Sequence, residues 1–480
     1  MTAETMLSLD NRYQQCRQDL ESRGQQHVLS WWDSLDQDSR EHLIADIESI
    51  PWSLVDGLID SHVVNRPDEP IPSDLQPAPV FHRTPTEANR GLYNRAISLG
   101  RDLISAGKVA AFTVAGGQGT RLGFEGPKGA VPITPVREKT LFQLFAEMIG
   151  AARNRYGAKI PWYIMTSPAN HQQTVGFLSD HGFFGLPTDD VILFSQGMLP
   201  SFDFDGKLLM AERNRLALAP DGHGGSLKSL ATSGALRDMD DRGVEIVSYF
   251  QVDNPLVQPF DELFVGLHRL TESEMSTKVT SKANDLERVG NLCLADGRVS
   301  VIEYSNLPEE LARSKNDDGT RKFNLGNLAI HLLDVGFIDR IVGKSFQLPF
   351  HRAEKAVTCI DENGDDHTPT SANAIKLEAF VFDALPLANN PLLLEIDRHE
   401  EFAPVKNAEG TDSVESAIQD QIRRAARWLE SAGVTIPKTA TGEPDIVVEI
   451  APSYAMTAGD VQRNHKNPPV LDRGETIYIS

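Results

Sequence analysis

Short, continuous apolar runs alternate with amphipathic segments through the middle of the chain, beginning near residue 93. Apolar runs of this kind are typical of strands buried on both faces, and a helix between successive strands favours a parallel sheet. The pattern therefore predicts an α/β fold around a central Rossmann-like sheet. The predicted strands are residues 109–115, 162–166, 191–194, 245–252, 297–304 and 380–382, and the predicted helices between them include 141–151 and 172–181.

The two ends of the chain follow other patterns. Residues 10–62 carry apolar groups at three- and four-residue spacing, as in 28–32 and 43–47, so we expect helices, the second capped by Asp38 or Ser39. A proline-rich stretch at residues 66–85 predicts an extended connection. Near the other end, a predicted helix at 414–432 leads to an apolar run at 444–450 and a turn-rich remainder. We therefore predict three parts: a helical N-terminal segment with its connection at 1–92, a catalytic, nucleotide-binding domain at 93–410 and a small α+β domain at 411–480.

The charge balance of the chain narrows the choice of partner. The chain has 480 residues and a formal net charge of −22, and its 40% hydrophobic and 24% charged residues are ordinary for a globular protein. An acidic balance argues against nucleic acid or an anionic membrane surface as the main partner, because both select for basic proteins. It does not exclude a phosphate-rich substrate, since a phosphate site needs only a few cations, backbone N–H groups and a metal ion at one place.

Targeting signals and cysteine usage point to the cytoplasm. The N-terminal residues show no basic stretch followed by an apolar core, and no apolar run reaches the length of about 18 residues typical of a membrane span. The three cysteines, Cys16, Cys293 and Cys359, are too few and too scattered for a disulfide framework or a thiolate zinc site. We therefore expect a cytoplasmic protein whose cysteines are small buried apolar residues.

A glycine-rich loop at residues 116–129 is the densest chemical signal, with six glycines in fourteen positions. It directly follows the predicted strand 109–115, at the carboxyl end where open α/β sheets bind ligands. Its glycines let backbone N–H groups come close to phosphate oxygens, and its two cations add positive charge. We therefore predict a phosphate-binding loop. Its candidate residues are Gly116, Gly117, Gly119, Arg121 and Lys128.

This loop matches neither of two familiar glycine motifs. The dinucleotide fingerprint requires its third glycine where Leu122 stands, and no Gly-Lys-Ser/Thr sequence of a P-loop follows. A nicotinamide-dependent dehydrogenase is therefore disfavoured.

Asp253 is the candidate metal ligand. It ends the predicted strand 245–252, and Asn254 and Pro255 after it should stop the strand. A carboxylate at this position beside a phosphate loop is well placed for Mg²⁺, which uses one or two carboxylates together with substrate phosphates.

In a separate segment, the glycines of residues 220–225 remove side-chain bulk, so the backbone there can approach a planar ring or a sugar.

Taken together, these motifs resemble the UDP-sugar pyrophosphorylases, and specifically their UDP-N-acetylhexosamine pyrophosphorylase branch. The resemblance rests on the glycine loop and on further blocks in the family's order, and it covers nearly the whole chain. It implies a mixed sheet of the nucleotidyltransferase type and a Mg²⁺-dependent reaction in which UTP and a sugar 1-phosphate give a UDP-sugar and pyrophosphate. The further blocks are residues 194–200, 219–225, 252–254, 301–305, 324–327, 376–383 and 402–407.

The resemblance also implies roles for individual residues. Gln196 and Gly222 match positions that contact the uracil, and Glu303 and Asn327 match positions that bind the sugar, whose pocket Phe380 lines. Lys406 matches a residue that reaches the phosphate of the sugar phosphate, while Arg121 and Lys128 would hold the leaving pyrophosphate. His331, in contrast, is expected to be a packing residue. We expect the three cations to converge in a local basic pocket on an acidic surface.

The chain departs from the family pattern at His223, where the family usually shows Asn. That Asn contacts the sugar near its 2-substituent, and an imidazole is bulkier and titrates near neutral pH. N-acetylglucosamine 1-phosphate is the sugar phosphate that the resemblance implies, but glucose, galactose or another hexose 1-phosphate stays open. A second alternative is a UDP-sugar-binding protein without turnover. The sequence does not predict the oligomeric state.

Overall fold

The structure, a computed structural model, describes residues 8–67, 72, 74–343, 346, 348–464 and 471–480. By its packing the chain divides into two units, and each unit is assembled from segments that are far apart in the sequence. The first unit comprises Met1–Pro70, Gly197–Ser226 and Leu348–Val381, and the second comprises Ile71–Gln196, Leu227–Gln347 and Phe382–Ser480. The three-part division at residues 92 and 410 stays a prediction.

Among the described residues of the second unit, eleven strands form one mixed sheet. Its predicted core is confirmed, since Val109–Val114 pairs in parallel with Trp162–Thr166 and Ile246–Gln251. The long strand Leu325–Asp334 makes the sheet mixed, because it runs antiparallel to both of its neighbours. The main strand order is Phe81–His82, Leu392–Glu395, Met275–Ser281, Leu325–Asp334, Ile246–Gln251, Val109–Val114, Trp162–Thr166 and Val191–Ser195, and Gln76–Pro77, Asn291–Ala295 and Arg298–Ile302 join at the side.

Two helices on this sheet touch backbone to backbone. A Cβ atom on Gly100, in Arg90–Ser105, would lie 1.9 Å from the carbonyl oxygen of Glu262, and one on Gly266 would lie 1.7 Å from that of Ala96. Any larger residue at either glycine would push the helices apart.

The helices of the second unit and of its boundary segments are Arg90–Ser105, Leu141–Tyr156, His171–Asp180, Gly225–Thr232, Ala235–Asp241, Glu262–Leu270, Glu309–Ala312, Val335–Val342, Arg398–Glu401, Val414–Ser431 and Ala458–Asn464, and the 3₁₀ helices are Thr120–Leu122, Lys128–Ala130, Gly182–Gly185, Thr188–Asp190 and Val381–Leu387.

The C-terminal part of the second unit has a small hydrophobic core of its own. Trp428 and Leu429 of the helix Val414–Ser431 pack with Val448 and Leu471. The strand carrying Val448, Ile446–Ile450, pairs in parallel with Glu475–Ile479.

The first unit contains the N-terminal helices and four short antiparallel strand pairs. Buried Asp46 accepts hydrogen bonds from Arg215 Nε at 2.8 Å and from the backbone N–H of Leu216 at 3.0 Å. Buried Gln25 bonds the backbone of Gly206 and Leu208. The N-terminal segment is thus bonded to residues 169 to 183 positions away. The unit contains the helices Leu9–Ser22, Gln37–Glu48 and Trp52–Leu58, the 3₁₀ helices Gln26–Leu29 and Trp32–Ser34, the π-helix Ile59–Val64, and the strand pairs Met198–Pro200 with Leu218–Pro220, Met210–Glu212 with Arg215–Leu216, Phe350–Lys355 with Ala374–Ala379 and Cys359–Ile360 with Asp366–His367.

Three local predictions were wrong. The helix Gln37–Glu48 is capped by Asp36, which accepts from the Ser39 N–H at 2.8 Å, and not by Asp38 or Ser39. Residues 28–32 form no single helix, because two 3₁₀ turns meet there. Residues 380–382 form no strand, since the strand ends at Ala379 and a 3₁₀ helix follows.

Other expectations have mixed outcomes. The connection at 66–85 contributes the short strands Gln76–Pro77 and Phe81–His82 to the sheet, and part of it lies outside the described residues. The three cysteines are buried and free, as expected. No helix in the described ranges is both long and apolar enough to cross a membrane.

Candidate active site

The glycine loop is held in place through its own carbonyl groups. Ser167 and Asn170, at the carboxyl end of the neighbouring strand Trp162–Thr166, are both buried. Ser167 Oγ donates to the carbonyl of Gly116 at 2.8 Å, and Asn170 Nδ2 donates to those of Ala115 and Gly117 at 2.9 and 3.1 Å. These bonds fix three successive peptide groups at the point where the chain leaves the sheet.

The loop then closes on itself. Gly119 N–H donates to the carbonyl of Gly126 at 2.8 Å, and Lys128 N–H donates to that of Gly117 at 3.1 Å. Within the described part of the chain, no acceptor takes the N–H of Gly116, Gly117 or Gln118. Consecutive N–H groups left open in this way are what a phosphate group binds.

The glycines of the loop serve two different purposes. A Cβ on Gly119 would lie 2.8 Å from the Phe124 ring, and one on Gly129 would lie 2.2 Å from the Phe142 ring, so these two glycines are required by packing. A Cβ on Gly117 would meet nothing closer than Lys128 Cε at 3.8 Å. Gly117 is therefore the glycine that leaves room for a ligand beside the lysine.

Lys128 and Asp253 lie side by side at the mouth of this loop. Lys128 Nζ is 3.7 Å from Asp253 Oδ2 and donates to the carbonyl of Val405 at 3.3 Å. The backbone N–H of Val405 donates in turn to the carbonyl of Asp253 at 2.9 Å. Because Lys406 follows Val405, the fold brings three predicted site residues together from sequence positions far apart.

Asn254 fastens the segment that carries Lys406. Its Nδ2 donates to the carbonyl of Glu401 at 2.7 Å, and its Oδ1 accepts from the Ala403 N–H at 3.1 Å. Lys406 itself is exposed, and its backbone N–H donates to the carbonyl of Asp412 at 2.6 Å. Burial raises the pKa of the Asp412 carboxyl, and the nearby Lys406 charge offsets part of that effect.

Arg121 has the loosest placement among the predicted site residues. It is exposed on the 3₁₀ helix Thr120–Leu122 and forms no hydrogen bond or ion pair with a described residue. The structure therefore leaves it on the phosphate loop without fixing its guanidinium. Convergence of all three cations stays a prediction.

Gln196 stands beside the first glycine of the loop. It directly follows the strand Val191–Ser195, and a Cβ on Gly116 would lie 3.1 Å from its Oε1. The side-chain amide of Gln196 bonds no described residue. A base edge that offers both a donor and an acceptor, as uracil does, can therefore pair with it.

Glu303 and Asn327 flank Gly290. A Cβ on Gly290 would lie 3.3 Å from Glu303 Oε1 and 3.8 Å from Asn327 Cβ. Asn327 sits at an irregularity of the strand Leu325–Asp334, where its Oδ1 accepts from the N–H of Ala329, a residue at φ +54°. This bond leaves Asn327 Nδ2 with no acceptor in the described part of the chain, so it can donate to a sugar hydroxyl.

The remaining predicted residues belong to the first unit, where they form a second cluster. Gly224 N–H donates to the Ala379 carbonyl, and Ala379 N–H donates to the Asp221 carbonyl, both at 2.8 Å. A Cβ on Gly222, at φ +84°, would lie 2.3 Å from the Ala379 carbonyl oxygen. Gly222 and Gly224 are therefore required by the end of the strand Ala374–Ala379, which the sequence could not reveal.

His223 is locked against that strand end. Its Nδ1 accepts from the Val381 N–H at 3.2 Å, and its ring stacks on Phe380, which also stacks on His351. Burial, reinforced by the charge that His351 can carry, lowers the pKa of His223 to about 4. The His223 ring is consequently neutral near pH 7, and its Nδ1 is the acceptor of the Val381 N–H.

Asp253 is the candidate metal ligand of the site. No group of three or more His, Cys, Asp or Glu residues that could hold a metal ion occurs in the described ranges. Asp253, whose side chain is 12% exposed, belongs to no such group, although its charge acts on the Asp412 carboxyl. That fits an ion such as Mg²⁺, which takes most of its ligands from water and substrate phosphates, and does not fit a structural metal cage.

Sequence reasoning missed the residues that hold the site together. Ser167, Asn170 and Asn254 each bond backbone carbonyl or N–H groups of a segment that carries a predicted site residue. The only available signal was their position directly after apolar strands.

His331 is a packing residue as expected: it is fully buried, and its Nδ1 lies 2.9 Å from Thr277 Oγ1.

A mixed α/β sheet, a glycine loop with open N–H groups and an adjoining lysine–carboxylate pair define an enzyme that handles nucleotide phosphates. Residues 93–440 match the family described as UTP–glucose-1-phosphate uridylyltransferase. The chain belongs to this family, so both the predicted family resemblance and the predicted enzyme class, a uridylyltransferase, are confirmed.

Similar proteins extend along nearly the full chain. The human UDP-N-acetylhexosamine pyrophosphorylase-like protein 1 is 36% identical, over 96% of this chain and 97% of its own. The Saccharomyces cerevisiae UDP-N-acetylglucosamine pyrophosphorylase is 34% identical, over 95% and 97% respectively. A solved structure of the Trypanosoma brucei enzyme of that name, 24% identical, superposes with a TM-score of 0.81 over 100% of this chain and 99% of its own, which supports the fold.

Proposed function

We propose that this chain transfers a uridylyl group from UTP to N-acetylglucosamine 1-phosphate, giving UDP-N-acetylglucosamine and pyrophosphate. The observation that carries the proposal is the contact of Lys128 with both Asp253 and Val405 beside the open N–H groups of Gly116 and Gly117. The names of the relatives that match nearly the full chain support the choice of sugar. We also propose that the enzyme is cytoplasmic and has no nucleic-acid or membrane partner; its net charge of −22 disfavours both of these polyanionic partners.

In this proposal the chemistry is a direct displacement. A phosphate oxygen of the sugar phosphate attacks the α-phosphorus of UTP in line, and pyrophosphate leaves with no covalent enzyme intermediate. Catalysis then consists of positioning and of stabilising the charge that spreads over the phosphoryl oxygens. The loop N–H groups with Arg121 and Lys128 hold the phosphates that leave, and Lys406 holds the phosphate that attacks.

Asp253 is the residue that would hold Mg²⁺. Bound there, the ion would neutralise charge on the UTP phosphates. Asp253 is kept in position by the backbone bond from Val405, and Lys128 at 3.7 Å balances part of its charge.

Recognition of the base and the sugar is assigned to the remaining predicted residues. Gln196 and Gly222 contact the uracil, while Glu303 and Asn327 bond the sugar hydroxyls, with Phe380 against the ring. We assign His223 to the 2-substituent of the sugar. Its neutral ring carries the proton on Nε2, because Nδ1 accepts from Val381, and an acetamido carbonyl is a suitable acceptor for an imidazole N–H.

Glucose or galactose 1-phosphate is the second candidate substrate, because His223 replaces the usual Asn of the family. A UDP-sugar-binding protein without turnover has less support, since the loop, Lys128, Asp253 and Lys406 are all present and Lys128 lies beside Asp253.

A pyrophosphate-release assay over a panel of sugar 1-phosphates tests the proposal. We expect N-acetylglucosamine 1-phosphate to give the highest kcat/KM with UTP and Mg²⁺. Equal or better turnover of glucose 1-phosphate would replace the sugar assignment. Absence of turnover with every member of the panel, in protein that binds UDP-N-acetylglucosamine, would favour the non-catalytic alternative.

A further inference from the structure

A large cavity lies within the second unit, between the helices Arg90–Ser105 and Glu262–Leu270 and the C-terminal helix Val414–Ser431. Its volume is about 410 Å³, within the range of pockets that bind small molecules. Much of the wall is apolar. Its apolar side chains include Ile97, Met148, Phe260, Ala425, Trp428 and Met456.

Five arginines also line the cavity, and four of them have acidic partners. Arg83 pairs with Asp261, Arg101 with Glu262 at 2.9 Å, and Arg155 and Arg463 both with Asp460. Arg83 and Arg101 each pair with a different carboxylate, whereas Arg155 and Arg463 share the one carboxylate of Asp460, so all four guanidinium groups are already held by an acidic side chain.

Arg424 is the exception. Among the described residues no carboxylate forms an ion pair with it, and only its Nη1 donates, to the carbonyls of Leu256 at 3.0 Å and Glu400 at 3.2 Å. Its Cζ lies 5.0 Å from the centre of the Trp428 ring. Loss of water around the guanidinium lowers the pKa of Arg424 to about 10, so it is still charged near pH 7.

We propose that this cavity is a second ligand site, which binds a small molecule with a planar apolar body and one anionic group that pairs with Arg424. The apolar wall would cover the body, and Nε and Nη2 of Arg424 would bond the anion in a forked geometry that carboxylate, sulfonate and phosphate groups share. Glu400 and Glu401 attract the Arg424 guanidinium without forming an ion pair with it. A guanidinium over an indole ring, with two unused donors and no carboxylate at ion-pair distance among the described residues, favours an anion over a neutral or cationic ligand.

The same arginine connects the cavity to the catalytic segments. Leu256 is three residues beyond Asp253, and Glu400 is six residues before Lys406. Arg424 bonds the carbonyls of both, so an anion that draws the guanidinium away would loosen the two segments together. Binding in the cavity should therefore lower turnover, and this part of the inference rests on the proposed function.

Binding can be tested without substrates by titrating the whole protein with 8-anilinonaphthalene-1-sulfonate, an aromatic sulfonate. We expect one site per chain with enhanced probe fluorescence. Arg424→Met should weaken binding at least about tenfold, because it removes the charge-assisted bonds. Ala425→Phe and, independently, Ile97→Phe should abolish binding by filling the cavity. The neutral N-phenyl-1-naphthylamine should bind about tenfold more weakly than the sulfonate.

Several results would overturn the site. One is that the probe shows no saturable binding, and another is that Arg424→Met binds the probe as tightly as the parent protein. The third is that the probe still binds to a cavity-filling variant, Ala425→Phe or Ile97→Phe, whose circular-dichroism spectrum is native. In the activity arm, saturating sulfonate should lower kcat about fivefold in the parent protein and leave Ala425→Phe unaffected. Equal inhibition of both proteins would show that the probe acts elsewhere. Because the binding arm contains no UTP, failure of the proposed reaction would not affect it.

Discussion

Lys128 Nζ lies 3.7 Å from Asp253 Oδ2, too far for a hydrogen bond and close enough for strong attraction. Their side chains are 18% and 12% exposed, so the pair is partly shielded from solvent. A fully formed salt bridge would occupy the donors of Lys128 and the oxygens of Asp253. The open spacing leaves the lysine able to meet a phosphate and the carboxylate able to meet a cation, which is the arrangement that a metal-dependent phosphate reaction requires.

Asp253→Asn tests the metal assignment. The change keeps the size of the side chain and removes its charge, so we expect kcat/KM for pyrophosphate release to fall at least about 100-fold and the Mg²⁺ requirement to shift to higher concentration. A Mg²⁺ titration at saturating UTP measures both effects. Asp180→Asn, at an exposed helix end, is the matched control and should behave like the parent protein. An unchanged Mg²⁺ curve in Asp253→Asn would contradict the assignment.

Lys128→Met and Lys406→Met should separate the two substrates. If Lys128 holds the leaving phosphates, its loss raises KM for UTP and lowers kcat, by about 100-fold together. If Lys406 holds the attacking phosphate, its loss raises KM for the sugar phosphate and leaves KM for UTP within about twofold. Initial-rate kinetics with each substrate varied in turn give this comparison. The same kinetic signature in both variants would mean that the two lysines share one role.

His223→Asn should change the choice of sugar. We expect the ratio of kcat/KM for N-acetylglucosamine 1-phosphate to that for glucose 1-phosphate to change by up to about tenfold, the value of one hydrogen bond. KM for UTP serves as the internal control and should stay constant. A ratio that does not move would place His223 away from the 2-substituent.

How far the sequence alone determines the site differs between residues. Asp253 could be found because a carboxylate directly follows an apolar strand, and the loop 116–129 because its glycine content is so high. The contact of Lys128 with Val405 could not, since it joins residues 277 positions apart and depends on the packed sheet. The roles of Asn170 and Asn254 could not be predicted for a related reason: their side chains bond backbone groups, which carry no sequence signature.

The fold shows the same division. Continuous apolar runs predict the buried strands well, but the antiparallel direction of Leu325–Asp334 comes from its pairing with both neighbours and not from its composition. The error at residues 380–382 has a similar origin. Apolar residues there are buried in a 3₁₀ helix after the strand has ended at Ala379, and a short apolar run does not distinguish the two cases.

His223 also makes stability depend on pH. Its folded-state pKa of about 4 lies below the ordinary value of 6.5, so below pH 6.5 the unfolded chain binds a proton that the folded chain does not. Stability should therefore fall as the pH drops from 6.5 towards 4, by about 2 kcal/mol at pH 5. His223→Asn should lack this loss, whereas His367→Asn, at an exposed position, should retain it. Thermal unfolding at pH 7.5 and pH 5.0 gives the comparison, and parallel behaviour of all three proteins would contradict it.

Lys278 is fully buried between two carboxylates. Its Nζ lies 2.9 Å from Asp261 Oδ2 and 2.5 Å from Glu401 Oε2. Burial alone would raise the pKa of Asp261, but the charges of Arg83 and Lys278 outweigh it and hold that pKa well below its usual range. Asp261 is therefore ionised at neutral pH, and the parts of the cluster depend on one another.

Lys278→Met should lower the free energy of unfolding by about 3–5 kcal/mol, because it leaves Glu401 charged, buried and unpaired. Lys438→Met, which breaks the surface pair with Glu430, should cost less than about 1 kcal/mol. Adding Glu401→Gln to Lys278→Met should restore part of the loss, since it removes the stranded charge, while Lys438→Met with Glu430→Gln should show no such recovery. Urea denaturation followed by tryptophan fluorescence compares the variants. A Lys278→Met protein as stable as the surface variant would mean that water reaches the cluster and that its charges are solvated.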